Sequence, residues 1–154
     1  MKIGKNETFD VFDKFLNKDK VFIDIGGWIG TTCLYGAKKS KHVYVVDADP
    51  LAVMGLHSNS LLNKLDNISI IGKALYNVND MDIKFGRNLF TKAEWNTSTS
   101  QILIQEDNYN NEDFTLVKTI TFNSIIENYN IDPTEISLIK VDIEGGEENI
   151  LNEL

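Results

Sequence analysis

Short apolar segments alternate with longer amphipathic segments along most of this sequence, a pattern typical of α/β proteins. Four of the apolar segments are predicted to be strands buried in a sheet, and they cover residues 21–25, 43–46, 68–71 and 136–143. The amphipathic segments are predicted to be helices, and they cover residues 7–16, 31–39, 51–63 and 124–129. Because strands and helices alternate, we predict a mostly parallel sheet with right-handed crossovers and flanking helices.

Residues 77–123 depart from this pattern. Three short segments there are predicted to be strands, at residues 81–85, 101–105 and 114–122, and a polar loop precedes the last of them. We predict that this region is a β-hairpin, or a lid over the rim of the sheet, inserted between the third and fourth core strands. The sequence has no internal repeat and no linker, so residues 1–154 are predicted to form a single domain.

The residues that suggest a chemistry lie where the first two strands end. Gly26, Gly27 and Gly30 follow the first strand, and Asp47 ends the second strand about 20 residues later. In an open parallel sheet, ligands bind in the crevice beyond the carboxyl ends of the strands. A carboxylate at the position of Asp47 accepts hydrogen bonds from the vicinal hydroxyls of a ribose. The sequence therefore predicts a ligand that contains a nucleoside.

The glycine turn favours one class of nucleoside ligand over another. A dinucleotide-binding turn has the pattern G-x-G-x-x-G, and here Trp28 and Thr31 stand where its second and third glycines would be. A phosphate loop of the type G-x-x-x-x-G-K-[ST] is also missing from the sequence. The turn instead has the pattern D-x-G-x-x-x-G, in which Asp24 suits the positively charged ammonium and sulfonium groups of S-adenosylmethionine. The alternative is that Asp24 caps the following helix.

Two acidic residues stand at the end of the fourth core strand. Asp142 and Glu144 alternate with apolar residues, so both carboxylates are expected on one side of the sheet, beside the glycine turn. Lys140 projects to the same side and is expected to pair with one of them, since a buried charge is costly unless it is paired. Glu144 or Asp142 is therefore the candidate general base for a hydroxyl acceptor, or the group that anchors this acceptor.

Charge and composition restrict the function further. With 15 Lys+Arg against 23 Asp+Glu, the net charge is −8, which argues against nucleic-acid and anionic membrane partners. No apolar run approaches the roughly 20 residues of a membrane span, and a cytoplasmic location is expected. Cys33 is expected to be a small buried hydrophobe. His42 and His57 have no neighbours at metal-ligand spacing, so no metal site is predicted, although Mg²⁺ between the strand-end carboxylates stays open.

Several segments together resemble the FkbM family of methyltransferases, which belongs to the class I, S-adenosylmethionine-dependent enzymes. The resemblance covers about residues 21–151, and it is carried by the glycine turn at residues 22–30, by Asn59 with Leu62-Asn63, by Lys73-Ala74-Leu75 and by residues 139–147. The last segment, IKVDIEGGE, is the specific one, because it is similar to the family pattern I-K-x-D-x-E-G-x-E. The sequence departs from the family at Gly27-Trp28, which replaces the usual Ala-Asn, and at Asn123, which replaces an aspartate.

The resemblance implies a Rossmann-like α/β fold and an S-adenosylmethionine cofactor. Together with the strand-end argument, the resemblance also implies a set of cofactor-binding residues. They are Asp24, Gly26, Gly27, Trp28, Gly30, Asp47, Lys73 and Ala74. The resemblance also implies O-methylation of a small-molecule or glycan hydroxyl. Because the sequence ends after the fourth core strand, the class I sheet is expected to be incomplete, with self-association through its exposed edge. The alternative function is a non-catalytic or incomplete cofactor-binding fragment that needs a partner or further chain.

Overall fold

The computed structural model of this chain describes residues 5–87, 100–102 and 114–143, which form two sheets and the helices around them. The helices are α1 (Lys5–Phe15), α2 (Thr31–Ala37), α3 (Pro50–Leu62) and α4 (Phe122–Asn128), with a 3₁₀ turn at Pro133–Glu135. The strands are β1 (Val21–Ile25), β2 (His42–Val46), β3 (Ile68–Ile71), β4 (Ala74–Leu75), β5 (Asp82–Arg87), β6 (Ser100–Ile102), β7 (Phe114–Ile120) and β8 (Ile136–Val141).

The first sheet has the strand order β3-β2-β1-β8, and all of its neighbouring strands are parallel. The chain adds β2 and β3 on one side of β1 and later returns to add β8 on the other side. The order of strands therefore reverses beside β1, and in sheets of this kind the ligand crevice lies at that reversal, beyond the carboxyl ends of the strands. The prediction of a Rossmann-like, mostly parallel sheet with flanking helices is confirmed.

The second sheet is the insertion between the third and fourth core strands. Its order is β4-β7-β5-β6, and β5 runs antiparallel to both β6 and β7. The predicted β-hairpin insertion is thus confirmed, although residues 103–113 lie outside the described residues. Leu75 of β4 and Ile120 of β7 are buried in one cluster with Ile25 and Ile71 of the first sheet. The insertion therefore shares a core with the parallel sheet.

Apolar residues on the two faces of the parallel sheet form separate halves of the core. On one face, Phe22, Val43 and Val45 pack with Phe12 of α1 and Leu56 of α3. On the other face, Ile23 and Ile25 pack with residues of α4 and of the second sheet. Each such side chain contributes about 1.5–3 kcal/mol when it is fully buried, so β1, which is buried along its whole length, anchors the sheet from which the glycine turn emerges.

Two expectations about the last strand and its neighbours need correction. The fourth core strand was expected to be buried, but every residue of β8 is partly exposed, because β8 lies at one edge of the sheet among the described strands. Helix α4 begins at Phe122, two residues earlier than predicted, because the Thr121 side chain accepts a hydrogen bond from the backbone N–H of Ser124 and caps the helix there.

No helix in the described part of the chain is long and apolar enough to cross a membrane.

Candidate functional site

Backbone hydrogen bonds bring the ends of four strands to one edge of the parallel sheet. The N–H of Gly26 donates to the carbonyl of Val46 at 2.9 Å, and the N–H of Asp47 donates to the carbonyl of Ile71 at 3.1 Å. On the other side of β1, the N–H of Asp142 donates to the carbonyl of Ile25 at 3.0 Å. The glycine turn, Asp47 and Asp142 therefore lie together at the carboxyl edge of the sheet, where the sequence predicted the ligand site.

The glycine turn fits its surroundings only without side chains at its first two positions. A Cβ atom on Gly26 would lie 1.9 Å from the carbonyl oxygen of Asp142, and one on Gly27 would lie 2.1 Å from Cγ2 of Val45. The φ angle of Gly26 is +77° and that of Trp28 is +47°. Left-handed backbone costs a residue with a side chain roughly 1–2 kcal/mol, so Trp28 holds a conformation that the family's usual asparagine adopts more easily.

Most backbone donors of the glycine turn are used inside the protein. The N–H groups of Gly26 and Gly27 both donate to the carbonyl of Val46, at 2.9 and 3.4 Å, and the N–H of Gly30 donates to the carbonyl of Gly27 at 2.9 Å. The N–H of Trp28 donates to Oδ2 of Asp47 at 2.7 Å. A phosphate-binding turn instead points several free N–H groups at its anion. The turn is therefore poorly arranged to hold the phosphates of a dinucleotide.

The Asp47 carboxylate connects the glycine turn to the start of α3. Its Oδ2 accepts from the N–H of Trp28, and its Oδ1 accepts from the N–H of Asp49 at 2.9 Å. Burial raises the pKa of Asp47 to about 6, although these two backbone donors act in the opposite direction. Each carboxylate oxygen has a second lone pair, so Asp47 can still accept hydrogen bonds from a ligand's hydroxyl groups. This geometry suits the ribose-binding role predicted for it.

Helix α3 supports the outer part of the glycine turn. Nδ2 of Asn59 donates to the carbonyl of Ile29 at 2.8 Å. A Cβ atom on Gly55 would approach the Ile29 side chain to 3.1 Å, so the helix and the turn are in close contact there. In the sequence, Asn59 belongs only to the family resemblance, and no pattern there indicates its contact with the turn.

Asp24 lies beneath the glycine turn and is completely buried. Its Oδ1 accepts from the ammonium of Lys140 at 3.0 Å, and its Oδ2 accepts from the hydroxyl of Thr32 at 2.6 Å. Burial raises the pKa of Asp24, while the Lys140 charge and the Thr32 hydroxyl act to lower it. Lys140 was expected to pair with one of the acids at the end of its own strand. The closer partner of Lys140 is Asp24, which is its register neighbour on β1.

The remaining predicted site residues are placed differently. Asp142 lies at the site edge with a side chain that is 76% exposed, and Glu144 lies outside the described residues. Lys73 forms an ion pair with Asp80 at 2.8 Å, and Ala74 is buried in β4. Their predicted roles in catalysis and cofactor binding therefore stay predictions. Among the described residues, no group of three or more His, Cys, Asp or Glu side chains is placed to hold a metal ion.

Comparison with known proteins gives matches to methyltransferases. The family model of the methyltransferase FkbM domain matches residues 24–154. The ribosomal protein L11 methyltransferase of Clostridium perfringens is 38% identical over 82 residues, which make up 50% of this chain and 26% of the relative. The chain thus spans about a quarter of the length of the curated relatives that it matches.

Solved structures of methyltransferases also match, over less than half of this chain. TYW2 of M. jannaschii in complex with AdoMet is 32% identical, with a TM-score of 0.40, and the match covers 46% of this chain and 33% of that one. An rRNA methylase from Streptococcus thermophilus is 19% identical, with a TM-score of 0.43, and the match covers 47% and 45% of the two chains.

The name of the curated relative contradicts the predicted acceptor. It names a ribosomal protein, which is a macromolecule and not a small molecule or a glycan. The prediction of a small-molecule or glycan acceptor, with no nucleic acid as partner, is therefore wrong. The small-molecule or glycan acceptor was implied by the family resemblance. The exclusion of nucleic acid relied on the net charge of −8, which is a property of the whole chain, whereas an acceptor contacts only the local surface beside the site.

Proposed function

The chain belongs to the FkbM methyltransferase family, and we propose that it transfers a methyl group from S-adenosylmethionine to a macromolecular acceptor. The observation that carries the proposal is the use of the turn's N–H groups by Val46, Gly27 and Asp47, beside a carboxylate that keeps free lone pairs. Such a site favours an adenosyl ligand that has ribose hydroxyls and no phosphates. S-adenosylmethionine is such a ligand.

The proposed donor site uses residues from three strand ends. The Asp47 carboxylate accepts hydrogen bonds from the ribose hydroxyls. Gly26 and Gly27 keep the turn close to the end of β8 and to β2, and Gly30 keeps it close to α2 and α3. Trp28 is about one-third exposed and lies next to Asp47, so its indole is expected to flank the bound ligand. Asp24, Lys73 and Ala74 complete the set of residues for which we propose a role in donor binding.

The proposed chemistry is an in-line displacement at the donor's methyl carbon. The sulfonium centre supplies an activated methyl group, so most of the catalysis is expected to come from holding donor and acceptor in line. For accepting the acceptor's proton or anchoring the acceptor we propose Asp142, which is exposed beside the turn, and Glu144, which stands two residues later in the sequence. A positioned base of this kind typically contributes about 10²–10⁴-fold.

Among macromolecular acceptors, we favour a protein. The curated relatives are named for a ribosomal protein. The assay uses the 154-residue chain with methyl-tritiated S-adenosylmethionine and intact ribosomes, followed by separate digestion with protease and with ribonuclease. Label that only protease releases supports a protein acceptor, and label that only ribonuclease releases contradicts it.

The donor site itself is tested by thermal unfolding with S-adenosylmethionine, S-adenosylhomocysteine or NAD. A ligand at 100 times its dissociation constant stabilises a protein by about 2.7 kcal/mol, and about 2–4 °C of Tm accompanies each kcal/mol in a domain of this size. We expect both sulfur ligands to raise the Tm and NAD to leave it unchanged. A folded protein that responds to none of them would contradict the proposal. Donor binding without any methyl transfer would instead favour the incomplete, cofactor-binding fragment.

A further inference from the structure

The ammonium of Lys140 occupies a central position beneath the glycine turn. Its Nζ donates to Oδ1 of Asp24 and to the carbonyl oxygen of Gly26, both at 3.0 Å, and lies 3.7 Å from Oδ2 of Asp142. The Lys140 side chain is only 16% exposed. A single ammonium therefore joins the end of β1, the first residue of the turn and the end of β8.

The contact with Gly26 ties Lys140 to the geometry of the turn. The carbonyl oxygen of Gly26 accepts from the Lys140 ammonium. This carbonyl and the N–H of Gly27 belong to one planar peptide group, so the contact with Lys140 also fixes the N–H of Gly27, which donates to Val46. The following N–H, on Trp28, donates to the Asp47 carboxylate. A continuous set of hydrogen bonds thus runs from Lys140 to the residue proposed to hold the ribose.

Asp24 has its two oxygens committed to other residues of the protein. Lys140 donates to one oxygen and Thr32 of α2 to the other, and none of the Asp24 surface is exposed. Each oxygen has a second lone pair, but the carboxylate is completely buried, so a ligand ammonium could reach it only by displacing one of these partners. Asp24 is instead placed as a counter-ion that holds the Lys140 ammonium within hydrogen-bond distance of the Gly26 carbonyl.

We propose that Lys140 is a positioning residue for the donor site, and that Asp24 acts on the donor through Lys140 and the turn rather than by direct contact. The inference rests on the proposed binding of S-adenosylmethionine at this turn. Lys140 thereby belongs to the donor side of the site, whereas Asp142 and Glu144, which follow it in the sequence, are proposed for the acceptor side.

The test is the dissociation constant of S-adenosylhomocysteine for the full 154-residue chain, measured by titration calorimetry at a temperature where circular dichroism shows each variant to be folded. We expect Lys140→Met to weaken binding by about tenfold or more, since hydrogen bonds from a charged donor are lost. Asp24→Asn is expected to weaken it less than about threefold, because the asparagine oxygen still accepts from Nζ. Lys140→Arg, which keeps the charge and the donors, is expected to recover part of the loss.

A matched control removes an ion pair of the same kind at the opposite edge of the sheet. Lys41 pairs with Glu135 at 2.7 Å beside the amino ends of β2 and β8, so Lys41→Met should leave the dissociation constant unchanged. Lys140→Met leaves Asp24 buried without its counter-ion and is the variant most prone to unfold. The double variant Asp24→Asn with Lys140→Met buries no unpaired charge and should fold, and we expect it to bind as weakly as Lys140→Met.

Two results would overturn the inference while leaving the donor site intact. One is wild-type affinity in the folded Lys140→Met or double variant, which would make the lysine a purely structural group. The other is a loss on Asp24→Asn that equals or exceeds the loss on Lys140→Met, which would show that Asp24 itself contacts the ligand. A wild-type protein that binds no S-adenosylhomocysteine would overturn the donor site, and this inference with it.

Discussion

The raised pKa of Asp47 makes donor binding depend on pH in a range where few other carboxylates titrate. Burial raises the pKa of this group to about 6 in the free protein. Ribose hydroxyls donate stronger hydrogen bonds to the ionised carboxylate than to the protonated carboxyl group, so ligand binding should favour ionisation and lower the pKa again. The affinity for S-adenosylhomocysteine should therefore fall as the pH falls through 6.

The size of the effect follows from the two pKa values. If binding returns Asp47 to its ordinary value of 3.8, the dissociation constant should rise about fourfold between pH 8 and 5.5 and about tenfold by pH 5. As the pH falls, protonation of Asp47 should not lower the free energy of unfolding, because the pKa of Asp47 is higher in the folded protein than in the unfolded one. Its protonation contributes stability that is complete below about pH 4 and is lost as the pH rises through 6.

The assay is calorimetric titration with S-adenosylhomocysteine between pH 5 and 8, above the isoelectric point of about 4.7. Asp47→Asn should bind weakly at pH 8 and lose the rise in dissociation constant over this range. Asp49→Asn is the matched control, because it removes a carboxylate two residues away while asparagine still caps α3. A wild-type affinity that is flat from pH 5 to 8, or an Asp47→Asn variant that keeps the wild-type profile, would refute the reasoning.

Three further outcomes are expected. Gly26→Ala should lower stability by about 2 kcal/mol or more, measured by urea unfolding, because its Cβ would overlap the Asp142 carbonyl oxygen; an unchanged midpoint would contradict the described packing. Glu144→Gln or Asp142→Asn should reduce turnover by about 10²–10⁴-fold for the variant that removes the base, with the dissociation constant for the donor unchanged; full turnover in both would exclude either acid as the base. Burial raises the pKa of Cys33 to about 12, so its thiol should not react with a disulfide reagent at pH 8 until the protein unfolds, and rapid labelling of the native protein would contradict this.

The local pattern of the sequence was sufficient to predict the parallel sheet and the edge that carries the site. Strand β1 was predicted with its observed limits because four apolar residues and one aspartate between two turns are typical of a short buried strand. The sequence Asp49-Pro50 is typical of a helix start, with aspartate as the N-cap and proline in the first turn, and the Asp49 side chain accepts from the N–H of Leu51 at the start of α3. The partial exposure of β8 was not predicted, because an apolar composition does not specify whether another strand lies beside it.

The partners of the charged residues depend on register, which the sequence specifies only indirectly. Lys140 alternates with Asp142, so the sequence favoured a pair within one strand, whereas the parallel pairing of β1 with β8 places Asp24 directly beside Lys140. Asp24 precedes the last residue of β1, and Lys140 precedes the last residue of β8. Once these two strand ends are known to be neighbours, the pairing of Asp24 with Lys140 follows. In this chain, the carboxylate two residues before the glycine turn is paired with the lysine at the same level of the neighbouring strand. Its part in donor binding stays a prediction, which the Asp24→Asn and Lys140→Met variants test.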